Sequence, residues 1–374
     1  MKHLIYADNA ATTQMDVDVF EAMKPYLLHE YGNASQPYSF ARQPKKAIQE
    51  ARETIASCIG ALPEEIYFTS GGTESDNWAI KGIAFQNYDH RATITTAFEH
   101  HAVLHACEAI ERLGCPVAYM LPDKRGFVSP DSLERYITDE TFLVSVMYAN
   151  NELGSIQPIK ELCKVAHDHG ALFHTDAVQA VGHVAINVND LGVDMLSASA
   201  HKFNGAKGVG FLYIRTGTTL PPYADGGAQE HGLRAGTENV AGIVSMAVAL
   251  KKNVNDLDKN QRHILKLEGL LLQALNKSGI PYVRNGGDHT LPGVISLSFD
   301  GKDGEAILHR MDLMGVCIST GSACDSKNTE ISHVLQAIRM PESLAKGTIR
   351  ISLGKNNTAD DIDTIVTALR KILL

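Results

Sequence analysis

The chain has 374 residues, of which 44% are hydrophobic and 21% are charged, a composition typical of a globular protein with one large domain and a smaller one. Its formal net charge is −9, which argues against nonspecific nucleic-acid binding, because that binding needs clustered Lys and Arg to neutralise phosphates. We therefore expect no direct nucleic-acid partner.

The N-terminal sequence, MKHLIYADNAATT, has no long apolar run and predicts no signal peptide. Elsewhere no apolar stretch of the sequence is long enough to span a bilayer. We therefore expect a cytoplasmic protein that has no membrane partner.

Seven short apolar segments between residues 64 and 215 each predict a buried strand that enters a turn. In chain order they are EEIYFTSG, RATITTAFEH, CPVAYMLP, TFLVSVMYAN, GALFHTDAVQ, VDMLSASAHK and GVGFLYIR. Helical patterns such as DNWAIKGIAFQ and IKELCKVAHDHG lie between several of them. This alternation predicts an α/β fold with a mostly parallel sheet flanked by helices.

Residues 240–276 contain no proline and predict one long helix that carries the chain out of the large domain. The remainder mixes predicted strands such as GVISLSFD with predicted helices such as DDIDTIVTALRKILL. We expect residues 16–255 to form the large domain. Residues 256–374, joined by the N-terminal segment 1–15, are expected to form a smaller α+β domain.

The cysteines are scattered along the chain, and none belongs to a C-x-x-C pair. They are Cys58, Cys107, Cys115, Cys163, Cys317 and Cys324. In a chain of this size, that distribution predicts reduced cytosolic thiols instead of disulfides or a zinc site. We expect no bound metal ion.

Polar residues follow two of the predicted strands. Asp176 and Gln179 come after LFHT, and Ser199, His201 and Lys202 come after MLSA. Side chains at the carboxyl ends of parallel strands point into the ligand crevice of such a sheet. An aspartate there can hold a protonated pyridine nitrogen, and a lysine can form a Schiff base with an aldehyde. That pair is what a protein contributes to pyridoxal-phosphate chemistry.

A predicted phosphate turn lies in TSGGTESDN, where Gly72 and Thr73 open a helix. Glu74 and Asp76 in its first turn are also what an ordinary helix start would carry, because the helix dipole favours negative charge there. Taken alone, the turn is therefore a weak signal. Its occurrence in sequence order with His100, Asp-x-x-Gln and Ser-x-His-Lys favours a cofactor site.

Ten motifs, in order and over nearly the whole chain, resemble the cysteine desulfurases. They are YADNAATT, YGNAS, FTSGGTESDN, EHHAVL, ANNELG, HTDAVQAVG, SASAHKFNGAKGVG, RAGTENVAG, TGSACDS and IRISLG. These are fold type I pyridoxal-phosphate enzymes, usually homodimers with active sites at the subunit boundary. The resemblance implies a large cofactor-binding domain with a mostly parallel seven-stranded sheet. The loop around Cys324 is similar to the subgroup that has an SGSAC-type cysteine loop.

The resemblance also implies the reaction. L-cysteine would be converted to L-alanine while its sulfur passes to Cys324 as a persulfide, for delivery to an acceptor protein such as an iron–sulfur scaffold or a thiolation enzyme. Lys202 would carry the cofactor, and His100 would stack on its ring and relay protons. The remaining implied contacts are Asp176 with the pyridinium nitrogen; Gln179 with the ring hydroxyl; Gly72, Thr73, Ser199 and His201 with the phosphate; Thr237 with the neighbouring subunit's phosphate; and Asn33, Asn151 and Arg350 with the substrate carboxylate.

Two features differ from the commonest pattern of the family. Asp325 and Lys327 follow the cysteine where small polar residues are more usual. The sequence also stops soon after its last predicted helix, where better-known members continue with a tail that docks a scaffold protein. Both features leave the identity of the sulfur acceptor open.

Two other functions compete with this interpretation. The first is a selenocysteine lyase or a related C–S lyase of the same fold, which would not need Cys324 in the same way. The second is a catalytically degenerate protein that serves as a sulfur-relay partner. The presence of Lys202, Asp176, His100 and Cys324 argues against degeneracy.

Overall fold

The computed structural model describes residues 4–86, 92–321 and 331–374. Its strands are β1 (Ile5–Tyr6), β2 (Ile66–Thr69), β3 (Ala92–Thr96), β4 (Val117–Met120), β5 (Thr141–Ser145), β6 (Leu172–Asp176), β7 (Met195–Ser199), β8 (Gly210–Ile214), β9 (Val283–Asn285), β10 (Val294–Ser298), β11 (Val316–Cys317) and β12 (Thr348–Ser352). Its helices are α1 (Val17–Leu28), α2 (Arg42–Ile59), α3 (Gly72–Gln86), α4 (His101–Glu111), α5 (Pro130–Glu134), α6 (Ile159–Asp168), α7 (Val188–Leu191), α8 (Val240–Asn255), α9 (Leu257–Ser278), α10 (Gly304–Leu313), α11 (His333–Ala337), α12 (Glu342–Ala345) and α13 (Ala359–Leu373). Within these ranges, no helix combines the length and the apolar character that crossing a membrane requires.

A seven-stranded sheet forms the centre of the molecule, in the order β2-β8-β7-β6-β5-β3-β4. Each of the seven predicted strand segments contains one of its strands. Strand β8 runs antiparallel to both of its neighbours, and the remaining pairs are parallel. The prediction of a mostly parallel seven-stranded sheet flanked by helices is therefore confirmed.

The central strands are buried along their whole length. Every residue of β5, β7 and β8 is buried, as expected of strands covered by helices on both faces. This explains why these segments appear in the sequence as continuous apolar runs rather than as alternating patterns.

The strand register brings the ends of β6 and β7 to one edge of the sheet. Asp176, the last residue of β6, pairs with Ser197 of β7. At the end of β7, Ser199 pairs with Gly210, where β8 begins. A short 3₁₀ turn, Ala200–Lys202, follows β7 directly. The polar residues predicted to follow these strands are thus gathered at the carboxyl edge of the sheet.

A second apolar core lies outside the central sheet. It joins α9, α10 and α13 to an antiparallel sheet of order β12-β10-β9 and to the parallel pair of β1 with β11. The N-terminal strand β1 therefore packs with residues from the C-terminal third of the chain. Buried residues of α11 and α12 belong instead to the core of the central sheet. The domain boundaries after residues 15 and 255 stay predictions.

The prediction of one helix over residues 240–276 is wrong. The helix is interrupted at Asp256, whose φ and ψ are −95° and 9°, and a second helix begins at Leu257. Aspartate disfavours helix interiors because its side chain competes for nearby backbone hydrogen bonds. The uninterrupted periodicity of the sequence concealed this break.

A buried ion pair holds the edge strand β2 to the segment after β8. Nη2 and Nη1 of Arg52 donate to the two carboxylate oxygens of Glu230 at 2.7 and 2.9 Å. The same carboxylate accepts the backbone N–H of Phe68 at 2.8 Å. The Arg52 side chain is 8% exposed and that of Glu230 is 5% exposed. Removing one partner would therefore leave the other charge buried and unpaired.

We expect Arg52→Met to lower the free energy of unfolding by about 3–5 kcal/mol, because Glu230 would lose its charged partner. Urea unfolding followed by circular dichroism measures the change. Arg125→Met is the matched control, because Arg125 pairs with Asp123 on the surface, where the side chains are 69% and 40% exposed. An exposed pair contributes about 1 kcal/mol or less. Equal losses in the two variants would contradict the argument.

Candidate active site

A cavity of about 590 Å³ lies at the carboxyl edge of the central sheet. Its volume falls in the range of small-molecule sites, about 300–1,000 Å³. Ten of the residues predicted for the site line it. They are Gly72, Thr73, His100, Asn151, Asp176, Gln179, Ser199, His201, Lys202 and Arg350.

The N-terminal segment lies against Lys202. The Lys202 ammonium donates to the carbonyl oxygens of Ala10 and Ala11 at 2.7 and 2.9 Å. The side-chain amide of Gln179 donates to the Ala10 carbonyl as well, at 2.9 Å. Because Ala10 and Ala11 also line the cavity, this segment forms a wall that orients the lysine. The motif YADNAATT was noticed in the sequence, but its backbone carbonyls give no signal there.

Asp176 presents its carboxylate where β6 ends. The side chain accepts the backbone N–H of Val178 at 2.9 Å, and the residue is 5% exposed. Burial raises the pKa of Asp176 to about 6, while the Val178 N–H and the Lys202 charge oppose the rise. Since about 6 is still below neutral pH, Asp176 is charged there and can hold a cationic ring nitrogen.

His100 caps the N-terminus of α4. Its Nδ1 accepts the backbone N–H of Ala102 at 3.1 Å, which places the proton of the neutral ring on Nε2. Burial lowers the pKa of His100 to about 4, and the charge of Lys202 adds to this effect. The ring is therefore neutral at physiological pH.

One donor atom each of Asp76, His100 and Asp176 lies within 4.8 Å of the other two. The spacing of these atoms would suit a metal ion. However, the charge of Lys202 acts on both His100 and Asp176, and a cation in that position opposes a second, divalent one. The group fits a site for an organic cation better than a metal site.

The turn that opens α3 leaves no room for side chains. A Cβ atom added at Gly72 would lie 2.5 Å from Cγ2 of Val178, and one added at Gly210 would lie 2.4 Å from the carbonyl oxygen of Ala198. Gly72 therefore allows the start of α3 to pack directly against Val178, whose N–H binds Asp176. Amide groups at the start of a helix bind phosphate, and Thr73 and Ser199 add hydroxyl groups to the same wall.

His201 also lines the cavity. Its Nδ1 lies 3.1 Å from the hydroxyl oxygen of Thr12. Burial lowers the pKa of His201 to about 4, with further contributions from the charges of Lys202 and Lys207. The neutral imidazole can donate one hydrogen bond to a phosphate oxygen.

Glu74 was interpreted from the sequence as an ordinary helix-start carboxylate, but it also links two site segments. It accepts the backbone N–H of Ser70 at 3.1 Å and Nε of Arg234 at 2.9 Å. Arg234 opens the motif RAGTENVAG, which contains Thr237. Glu74 thus ties the turn before α3 to the segment that carries Thr237.

Arg350 of β12 also lines the cavity. Its Nη2 donates to Asp8 at 2.7 Å, and its Nη1 donates to the carbonyl oxygen of Asn151 at 2.8 Å. Arg350 is 4% exposed, and its Nε has no hydrogen-bond partner among the described residues. A buried N–H without a partner is costly, and a bound carboxylate would supply the acceptor.

Two described residues that were predicted for the site, Asn33 and Thr237, are not among those that line the cavity. The side chain of Asn33 accepts the backbone N–H of Ser35 at 2.9 Å. The Ser35 hydroxyl donates to Glu238 at 3.2 Å, which places Asn33 near the segment that carries Thr237. Thr237 itself is exposed. Cys324 lies outside the described residues.

The sequence interpretation missed several polar residues at this site. Glu152 lines the cavity and accepts the Ser332 hydroxyl at 2.6 Å. Glu99 is fully buried behind the wall and accepts the backbone N–H of Met147 at 2.8 Å and the Thr96 hydroxyl at 2.7 Å. The motifs ANNELG and EHHAVL contain both acids, but their partners Ser332 and Met147 are distant in sequence, so these pairings give no local signal.

The donor set fits pyridoxal phosphate. Asp176 suits the ring nitrogen, Lys202 suits the aldehyde, and the start of α3 with its neighbouring hydroxyl groups suits the phosphate. The unpartnered Nε of Arg350 leaves a position that a carboxylate would fill. The described residues thus offer a place for each charged part of a cofactor and an amino-acid substrate.

Comparisons with known proteins extend over the whole chain. A family model, aminotransferase class-V, matches residues 5–365. Cysteine desulfurase IscS of Dictyoglomus turgidum is 48% identical over 375 residues, which cover 100% of this chain and 95% of that protein. The solved structure of a NifS-like protein has a TM-score of 0.94 and 37% identity, with 99% of both chains covered. That of SspA in complex with cysteine has a TM-score of 0.85 and 37% identity, covering 95% of this chain and 100% of that one.

The buried acid Glu99 should make the stability of the protein depend on pH. Burial raises its pKa from 4.5 to about 8, so between these values the folded protein holds a proton that the unfolded chain has lost. Stability should therefore fall as pH rises, by about 1.4 kcal/mol per pH unit from this group. Glu99→Gln, which is neutral throughout, should remove that part of the slope.

Urea unfolding at four pH values from 5 to 8 measures the slope for wild type and Glu99→Gln. Glu64→Gln serves as control, because Glu64 is exposed and its replacement should leave the slope unchanged. Parallel stability curves for wild type and Glu99→Gln would show that Glu99 is not protonated in the folded protein.

Proposed function

This chain belongs to the cysteine desulfurases of the aminotransferase class-V family, and from that membership we propose that it converts L-cysteine to L-alanine and takes the sulfur onto its own Cys324 as a persulfide. The observation that supports this most is the meeting of Lys202, Asp176 and His100 in one cavity that Arg350 also lines.

Pyridoxal phosphate is the cofactor that we assign to the cavity. Asp176 would hold the ring nitrogen, Gln179 the ring hydroxyl, and Lys202 the aldehyde carbon. The phosphate would be held by Gly72, Thr73, Ser199 and His201. When bound, the cofactor supplies an electron sink for the charge that develops at the substrate Cα.

Lys202 is the base that we assign to the Cα proton. An amine accepts a proton only in its neutral form, and the product of that transfer is an ammonium group. The carbonyl oxygens of Ala10 and Ala11, at 2.7 and 2.9 Å from Nζ, accept hydrogen bonds from the ammonium and stabilise it. The N-terminal segment therefore favours the step in which Lys202 becomes protonated.

His100 is assigned to stacking and to proton relay near the sulfur. Its neutral ring suits a position over a pyridinium, because two cationic rings would repel each other. The Nε2–H that faces away from Ala102 is the group that can exchange a proton. Cys324 must attack as the thiolate, since the thiol is a poor nucleophile.

Arg350, with Asn151 and Asn33, is assigned to the substrate carboxylate. The guanidinium is already fixed by Asp8 and by the Asn151 carbonyl, so little side-chain freedom would be lost when a carboxylate binds. Guanidinium and carboxylate groups pair through two parallel hydrogen bonds.

The proposed assembly is a homodimer with composite sites. The exposure of Thr237 and its tie to the α3 turn through Arg234 and Glu74 support a contact from this segment to the neighbouring subunit's phosphate. The sulfur acceptor would be a separate protein, either a scaffold for iron–sulfur clusters or a thiolation enzyme. The cytoplasm is the compartment that we propose. The described cysteines are all free thiols, as expected of a reducing environment.

Lys202→Ala should abolish alanine formation from L-cysteine, with a loss of at least about a hundredfold in kcat because the base is removed. Chromatography of the amino-acid product measures the rate. Lys164→Ala, which removes a lysine with a 75% exposed side chain on α6, is the control and should keep the wild-type rate. Full activity of a folded Lys202→Ala protein would refute the assignment.

Cys324→Ser should still bind the cofactor and respond spectrally to L-cysteine, but it should not release alanine, because a hydroxyl attacks sulfur far more weakly than a thiolate. Cys317→Ser is the matched control. Burial, with the charges of Asp312 and Asp8, raises the pKa of Cys317, so this thiol is disfavoured as the nucleophile. After brief exposure of the wild type to L-cysteine, mass spectrometry should find one extra sulfur on the peptide that contains Cys324. Finding it on Cys317 would overturn this mechanism and leave the cofactor assignment intact.

A further inference from the structure

Two buried carboxyl groups, those of Asp76 and Asp176, line the cavity, and a third, that of Glu99, is buried close enough to act on both. Asp76 of α3 is 1% exposed, Asp176 is 5% exposed and Glu99 is 0% exposed. The cation that acts on Asp176 is Lys202. One cation cannot balance three buried carboxylates, since unpaired charges are costly to bury. The group must therefore retain protons, and their location decides where the negative charge lies.

The hydrogen bonds of these acids differ. Asp176 accepts the Val178 N–H and Glu99 accepts two donors through one oxygen. Asp76 is buried, and its Oδ1 has no hydrogen-bond partner within the described parts of the chain. A buried carboxylate needs several donors to be stable, whereas a neutral acid needs fewer. Asp76 is thus the poorest place for a negative charge.

A chain of hydrogen bonds passes beside Asp76, from Ser197 through His174 to Ser145. The Ser197 hydroxyl lies 3.0 Å from Nε2 of His174, and Nδ1 of His174 lies 2.9 Å from the hydroxyl of Ser145. Nε2 of His174 is also 3.7 Å from Oδ1 of Asp76. His174 is fully buried, and burial lowers its pKa to about 3. The imidazole is therefore neutral and carries one proton.

The direction of this chain depends on Asp76. If Asp76 is ionised, its Oδ1, 3.7 Å from Nε2 of His174, attracts a proton onto that nitrogen, and the ring then donates to Ser197. If Asp76 is a neutral acid, that attraction is absent; Ser197 can then donate to Nε2, and the ring proton lies on Nδ1 and is donated to Ser145. The two charge states of Asp76 therefore favour different tautomers of His174.

We propose that Asp76 is a neutral carboxylic acid in the working protein, and that it acts as a positioning residue which fixes the direction of the Ser197–His174–Ser145 chain and leaves the negative charge on Asp176. One part of this proposal rests on the proposed function, namely the assignment of the cofactor's ring nitrogen as the partner of Asp176. A neutral Asp76 avoids a second negative charge beside that carboxylate.

The groups that face Asp76 support this assignment. They are Asp176 and His174 of β6, and Glu99 and His100 from the segment before α4. Burial and the charge of Asp176 raise the pKa of Asp76 well above its usual value, whereas that of Asp176 reaches about 6. Asp76 therefore has the higher proton affinity of the two carboxyl groups.

Infrared spectroscopy of protein labelled with [4-¹³C]aspartate tests the proposal, because only a protonated aspartate gives a carboxylic-acid band that the label shifts. At pH 7.5 we expect one such band in the wild type as isolated. Asp76→Asn should remove it, and Asp176→Asn should leave it in place. Loss of the band in Asp176→Asn but not in Asp76→Asn, or no band in the wild type, would overturn the proposal.

A second measurement needs no folded Asp76 variant. In wild-type protein labelled with ¹⁵N-histidine, the His174 signals, assigned by their loss in His174→Gln, should report the Nδ1–H tautomer without titration from pH 6 to 8. The Nε2–H tautomer or a charged ring would overturn the proposal. Neither readout involves L-cysteine or turnover, so a failure of the proposed function would not change them.

Discussion

The parallel pairing of β6 with β7 is the constraint on which the site depends. Its register sets Asp176 opposite Ser197, so that Asp176 and the turn ending at Lys202 leave the sheet at the same edge. Parallel strands are buried on both faces and bound to their neighbours along their length, which fixes both strand ends firmly. The Asp176 carboxylate and the Lys202 amine, which are 26 residues apart in sequence, therefore line the same cavity.

Burial of this edge decides the charge state of every group on it. The same low-dielectric surroundings lower the pKa of His100 and His201 to about 4 and raise that of Glu99 to about 8. Histidines become neutral hydrogen-bonding groups and carboxyl groups tend to keep protons. Lys202 and Asp176 then face each other as the main opposite charges, a polarity that matches a cofactor with a cationic ring and an aldehyde.

The sequence predicted the sheet and most of the cavity wall, because those features are local. Each central strand is a short, mostly apolar segment that enters a turn, and the polar residues at the ends of β6 and β7 have recognisable types at fixed spacing. What it could not predict depends on contacts between distant segments or on the backbone. The carbonyls of Ala10 and Ala11 carry no side-chain signal. Glu74 resembled any helix-start acid, and the break at Asp256 interrupts a periodic pattern by a single residue.

The N-terminal segment shows why the second core matters to the site. Strand β1 pairs with β11, Asp8 binds Arg350 of β12, and the next residues along the chain accept hydrogen bonds from Lys202. One short stretch of backbone therefore connects the groups assigned to the substrate carboxylate and to the Cα proton. Asp8, Ala10 and Ala11 are so close in sequence that they cannot move independently. A shift of the second core relative to the central sheet would therefore displace Arg350 and, at the same time, the carbonyl groups that bind Lys202. Arg350 and Lys202 are thus coupled through the covalent geometry of this segment, in addition to side-chain packing.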